Sequence, residues 1–125
     1  MATRIEPGRE AGVGGAGTRI DREEAIRRYY AGESVPCPVG CGGVAEAVRV
    51  STTPAGGGEI WLECTACAQR ERYEVPPATD LERRRVMQAL AEGREVVCPR
   101  HAAVVGLRKR GRQLACPACG VVYGE

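Results

Sequence analysis

Residues 37–41 read Cys-Pro-Val-Gly-Cys, residues 64–67 Cys-Thr-Ala-Cys, residues 98–101 Cys-Pro-Arg-His and residues 116–119 Cys-Pro-Ala-Cys. These four motifs hold all seven cysteines and the single histidine of a 125-residue chain. Two soft ligands separated by two or three residues can reach one ion from a single tight turn, and a second pair closes the tetrahedron from a distant turn. In chain order, Cys37, Cys41, Cys64 and Cys67 form a four-thiolate set, while Cys98, His101, Cys116 and Cys119 form a mixed set. The 22 and 14 residues between the pairs of each set are long enough for a β-hairpin that returns the chain to the ligands. Tetrahedral thiolate and imidazole sets favour Zn2+, two per chain, with iron as the main competitor at the all-cysteine site. Paired spacing at both ends of both sets argues against unliganded core cysteines. An odd cysteine count fits a disulfide framework poorly.

The rest of the chain offers little else to hold a fold. Phe is absent, four Tyr and one Trp are the only aromatic residues, and 17 Gly with 8 Pro favour turns over long elements. A core built mainly from Ala and Val buries little area per side chain. A structural zinc contributes folding free energy on the order of 10–16 kcal/mol in finger peptides, more than such a core could supply. No apolar run reaches the roughly 18 residues of a membrane span. Residues 1–10 lack the apolar stretch of a secretory signal, so a reducing cytoplasm and no membrane contact are expected.

Outward from the motifs, the pattern repeats. Asp21 caps a helix expected over Arg22–Ala31, with Glu24 in the capping-box position and Gly32 as its stop. Strands are expected over Val44–Val50, Glu59–Glu63 and Arg70–Val75, the last broken by Pro76-Pro77. Thr79 then caps a second helix, with Glu82 in the box position, an apolar stripe of Val86, Ala89 and Leu90, and Gly93 at its end. An offset of 61 superimposes Gly32 on Gly93, Val35 on Val96, Cys37 on Cys98 and Pro38 on Pro99. The chain reads as an internal duplication of a helix followed by a metal module. The expected organisation is a flexible Gly-rich tail over 1–17, a first unit over 18–78 and a second over 79–125. Gly12, Gly14 and Gly17 spell a dinucleotide-loop pattern but have no strand before them, so they read as linker.

The knuckles Cys37-Pro-Val-Gly-Cys41-Gly with Cys64-Thr-Ala-Cys67, and Cys98-Pro-Arg-His101 with Cys116-Pro-Ala-Cys119-Gly, resemble those of zinc ribbons. The resemblance covers roughly residues 35–76 and 96–125. It implies a small metal-bound α+β fold, with two short antiparallel sheets carrying zinc knuckles, each preceded by an α-helix. Zinc ribbons serve in transcription factors, polymerase subunits, ribosomal proteins and nucleic-acid enzymes, and also as protein docking modules.

Catalysis is not expected. Each set is complete, leaving no open position for a metal-bound water, and the only His is already a ligand. No small-molecule substrate is implied. Charge divides unevenly, at −2 over residues 1–78 and +4 over 79–125. The sharpest surface feature is Leu107-Arg-Lys-Arg-Gly-Arg112. With strands at Val104–Leu107 and Gln113–Ala115, Arg108, Lys109, Arg110 and Arg112 would sit at a hairpin tip and contact the phosphates of DNA or RNA. Arg83–Arg85 and Arg100 would add charge to the same half. Tyr29, Tyr30 and Trp61 read as core residues. The rival reading is an adaptor whose acidic first module and helices dock a larger protein complex.

Overall fold

The computed structural model describes residues 20–124; the Gly-rich segment 1–17 lies outside them. Helix α1 spans Arg22–Ala31. The Glu24 N–H donates to Asp21 Oδ1 at 2.7 Å, and Gly32 takes the left-handed conformation (φ 78°) that ends the helix. The return arm of a capping box is not formed. The Glu24 carboxylate instead accepts from Arg27 and Arg28 on the next turn. Strands β1 (Val35–Pro36), β2 (Val44–Thr52), β3 (Gly58–Cys64) and β4 (Arg70–Val75) form an antiparallel sheet in chain order. Along β3 burial alternates without a fault: Gly58, Ile60, Leu62 and Cys64 face inward. The same alternation puts Trp61 on the open face, where its indole N–H reaches Glu59 Oε1 at 3.2 Å. Its expected place in the core is therefore corrected by strand parity.

Helix α2 spans Asp80–Ala91 and has the complete capping box: the Glu82 N–H donates to Thr79 Oγ1, and the Thr79 N–H to the Glu82 carboxylate. Val86 and Ala89 are buried, but Leu90 is 48% exposed, so the apolar stripe is narrower than its spacing implied. A second antiparallel sheet follows, with β5 (Arg108–Arg110), β6 (Gln113–Ala115) and β7 (Val122–Gly124) in chain order. The expected strand over Val104–Leu107 is corrected. That stretch contributes the Val97–Gly106 bridge, flanked by the Cys98 N–H to Val105 carbonyl and Leu107 N–H to Val96 carbonyl bonds, and the hairpin strand begins at Arg108.

The offset of 61 recurs in the backbone. Gly32 and Glu33 donate to Tyr29 and Arg28, and Gly93 and Arg94 donate to Leu90 and Ala89. Around the second ligand pair of each half the same bonds recur at an offset of 52: Cys64 N–H to Gln69 and Cys116 N–H to Val121, then Ala68 to Cys64 and Gly120 to Cys116.

Both halves feed one apolar cluster, running from Ala25, Ile60, Leu62 and Tyr73 to Val86, Val121 and Tyr123. The β2–β3 turn and the last knuckle meet backbone to backbone. The Val122 N–H donates to Gly56 O at 3.0 Å and Thr52 Oγ1 to Gly120 O at 2.6 Å, while a Cβ on Gly58 would overlap the Cys119 carbonyl. Only glycine fits there. Gly58→Ala should therefore lower stability by about 1–3 kcal/mol. Gly106→Ala, where a Cβ meets nothing within 4 Å, should stay within about 0.5 kcal/mol of the parent in the same thermal melts.

Candidate metal centres

The first centre sits at one end of the four-stranded sheet, where β1 and β3 end and β2 and β4 begin. Cys37 leads into a tight turn in which its carbonyl accepts from Gly40 and its N–H donates to Gly43, with Gly40 and Gly42 at positive φ. Cys64 closes β3, and its sulfur accepts from the N–H groups of Ala66 (3.3 Å) and Cys67 (3.4 Å). Cys37 and Cys41 likewise accept from Val39 and Gly43, both at 3.4 Å. A sulfur surrounded by backbone donors is set up to carry negative charge. The turn after Cys67 ends on Ala68 at φ 63°, the only non-glycine residue with positive φ among those described. The matching position in the second half is Gly120.

The second centre lies where the 96–107 bridge meets the β6–β7 turn. Cys98, Cys116 and Cys119 are buried, and His101 is half-buried. The other half of the chain holds this histidine in place. The Tyr30 ring lies edge-on to the imidazole at 4.7 Å and the Tyr29 ring at 6.0 Å. The Tyr30 carbonyl accepts the Ala102 N–H at 2.8 Å, and Tyr29 OH donates to Ala118 O at 2.5 Å. The phenol of Tyr123 sits 3.0 Å from Cys98 Sγ. The sequence placed Tyr29 and Tyr30 in a core but gave no sign that they serve the opposite centre, because nothing local couples residue 30 to residue 101.

In each set the four ligand atoms lie within 4.8 Å of one another, so each could hold one metal ion. Cys37–Cys67 and Cys41–Cys64 are both 3.5 Å apart, and Cys116 Sγ lies 3.4 Å from His101 Nε2. A tetrahedron with metal–sulfur bonds near 2.3 Å needs ligand separations of roughly 3.8 Å, so the donor sets fit with little movement. The buried Tyr30 hydroxyl has no hydrogen-bond partner among the described residues, and Cys119 is among the groups that perturb it.

Charge is shared unevenly within each set. At Cys37 burial opposes ionisation, but the N–H groups of Cys41 and Val39 outweigh it and bring the thiol down to about 6. Cys64 is lowered too, first by the Cys67 N–H. Cys41 goes the other way: the Gly43 N–H favours its thiolate, yet the neighbouring sulfurs push it up to about 12. Cys67 is raised despite the Gln69 backbone, by burial and by Cys37. In the second set burial would lower His101, but the Cys116 and Cys98 sulfurs raise it to about 9. Like charges held this close oppose each other's ionisation, so each 3.5 Å pair of the first set has one lowered and one raised thiol.

Arg100, expected to add to a basic surface, is instead committed internally. Its guanidinium grips both Glu82 oxygens at 2.9 Å and the carbonyls of Pro76 (2.8 Å) and Pro77 (2.9 Å). It ties the third knuckle to the start of α2. Arg83 is likewise spent on Ala78 O and Asp80. Arg108, Lys109 and Arg110 are exposed along β5 rather than at a tip. The turn is Gly111-Arg112, with Gly111 at φ 64°.

Taken together, the chain is a small α+β protein with antiparallel sheets and two candidate metal-binding modules. Comparison with known proteins gives no match to a protein family, to a curated protein or to a solved structure. No helix among the described residues is long and apolar enough to cross a membrane.

Two outcomes follow. Ala68→Gly should stabilise the protein by about 1 kcal/mol, since an L side chain in the left-handed region is strained; no gain in chemical denaturation would contradict the turn described here. Metal binds thiolate, so a ligand with a raised pKa must surrender its proton on loading. Loading the first centre near pH 7.5 should therefore release at least two protons, those of Cys41 and Cys67. Affinity should weaken as pH falls, and titration in weak buffer reads both.

Proposed function

We propose that the protein is a non-catalytic scaffold of two zinc-ribbon modules, each holding one Zn2+. Its basic β5–β6 hairpin binds nucleic-acid phosphates. Four protein ligands per site leave no position for a reactive water, which supports structural metals. Thiolate and imidazole donors in tetrahedral sets support zinc.

One observation carries the partner. Many of the described arginines are consumed on the protein's own surface: Arg22 pairs with Glu71, Arg70 with Glu63, Arg72 with Glu59 and Glu74, and Arg94 with Glu92. Arg108, Lys109, Arg110 and Arg112 form no ion pair among the described residues, although they are four of five consecutive positions. An unpaired cationic ribbon suits a phosphate backbone. No aromatic side chain interleaves these cations, so stacking on unpaired bases is not favoured and duplex phosphates are the better match.

A groove of about 740 Å3 beside the hairpin favours a second reading, docking of a protein. Leu90, Val96, Leu107 and Leu114 line it, with Lys109 and Arg112 among its walls. The occupant it fits is a peptide segment with an apolar anchor flanked by acidic residues.

Fluorescence anisotropy with a short duplex separates the readings. Four phosphate contacts predict a log–log salt slope of about −3 to −4. Reversing the four cations to Glu should abolish binding and leave metal content unchanged. Binding that survives reversal, or that ignores salt, would end the nucleic-acid reading. Replacing Leu90 and Leu107 with Ser should then matter only for a protein partner.

A further inference from the structure

The two centres differ in how their sulfurs meet solvent. In the second, Cys98, Cys116 and Cys119 are each at most 2% exposed. A phenol caps Cys98, and aromatic rings cover His101. In the first, Cys37 and Cys64 are buried, whereas Cys41 and Cys67 reach the surface. Cys41 is the more open of the two, because Gly40, Gly42 and Gly43 surround it, while Cys67 is half-buried. At Gly43 a side chain is excluded outright: its Cβ would lie 2.8 Å from Ala66 Cβ and 2.9 Å from Cys64 Sγ. A cavity of about 510 Å3 opens beside this knuckle, lined by Arg28, Pro36, Cys37, Gly40, Gly42 and Gly43. The sulfurs also form two matched pairs. Each surface sulfur has a buried one 3.5 Å away, Cys41 with Cys64 and Cys67 with Cys37.

We infer that the first centre is an oxidation site for hydrogen peroxide, opening before the second and releasing its metal while the second holds. The inference rests on the two-metal reading above. A thiolate is the nucleophile in such chemistry, and susceptibility follows its exposure. Cys41 Sγ attacks a peroxide oxygen, and the O–O bond breaks. The sulfur, oxidised by two electrons, becomes a sulfenic acid, and the departing hydroxide takes a proton to become water. Cys64 Sγ then attacks the sulfenic sulfur. An S–S bond forms, the S–O bond breaks, and hydroxide leaves to be protonated to a second water. In sum, two thiolates, one peroxide and two protons give one disulfide and two waters. The pair Cys67 and Cys37 offers the same route. With two of four thiolates gone, the ion is no longer held, and a small-molecule dithiol returns the site to its starting state.

The second centre resists for two reasons. Its sulfurs are almost wholly covered, Cys116 alone bordering a small cavity, and the Tyr123 hydroxyl draws charge from Cys98 through a hydrogen bond. Outer-shell donors of this kind alter metal retention by about ten- to a hundredfold. Tyr123 is thus a positioning residue for the second centre and has no part in the first.

The test uses the full chain in its metal-loaded form. Metal per chain is first counted by native mass spectrometry, and hydrogen peroxide is then added with a chromogenic chelator present. Release should be biphasic, with one of the two metals lost in the fast phase. At that point peptide mapping should find a Cys41–Cys64 or Cys37–Cys67 disulfide. Tyr123→Phe should speed the slow phase about tenfold and leave the fast phase alone. Dithiothreitol with added zinc should restore two metals. Simultaneous loss of both metals, or first modification at Cys98, Cys116 or Cys119, overturns the inference while leaving the two-metal reading intact. A starting count below two overturns that reading itself.

Discussion

Convergence of four soft ligands at each of two points is the constraint on which everything else in the molecule hangs. Sulfur takes places that larger chains give to phenylalanine and leucine: five of the seven cysteines lie among the buried apolar residues, beside Ala, Val and only a few larger side chains. Four sulfurs packed within 4.8 Å are a liability on their own, because adjacent thiolates repel and must share protons. A cation at the centre converts that repulsion into attraction. Thiolate–metal bonding on the order of 10–16 kcal/mol exceeds the few kcal/mol net stability of a typical small domain. The turns around the ligands are built to that end, with backbone N–H groups aimed at sulfur and glycines where the chain must reverse.

The second constraint is that neither half stands apart from the other. Helix α1 precedes the first sheet, yet its Tyr29 and Tyr30 cover His101 and reach the last knuckle. Arg100 in the third knuckle reaches back to Pro76, Pro77 and Glu82. Gly58 lets the β2–β3 turn lie against Cys119. These contacts give the second centre supports the first one lacks: rings over its histidine, a phenol on a sulfur and no exposed thiolate. Repeated sequence has produced chemically unequal sites, and the inequality arises from residues outside the repeat's matching positions.

Much of this was legible in the sequence, for identifiable reasons. Helix α1 and strand β4 match the expected bounds, and α2 follows its Thr79 cap, because caps, Pro breaks and period-two alternation are local signals. The grouping of ligands followed from pair spacing and chain order, and the two clusters of the fold match it. What the sequence hid is non-local. Strands β1 and β7 are two and three residues long, too short for a period to show. Leu90 carries the right spacing for a core residue but lies near the end of α2, where it flanks the groove. Arg100 and Arg108 are indistinguishable as letters in a chain with 17 arginines. Only placement shows that one is clamped between carbonyls and a carboxylate while the other faces solvent. Trp61 faces outward for a similarly hidden reason, since a lone aromatic says nothing about strand parity.

The most direct test of the central claim is native mass spectrometry of the isolated chain, run with elemental analysis and repeated after exhaustive chelation with circular dichroism alongside. The expected result is two zinc ions per chain before treatment, with loss of tertiary signal once both are stripped. A chain that carries fewer than two ions, or that keeps its fold with none, would contradict it.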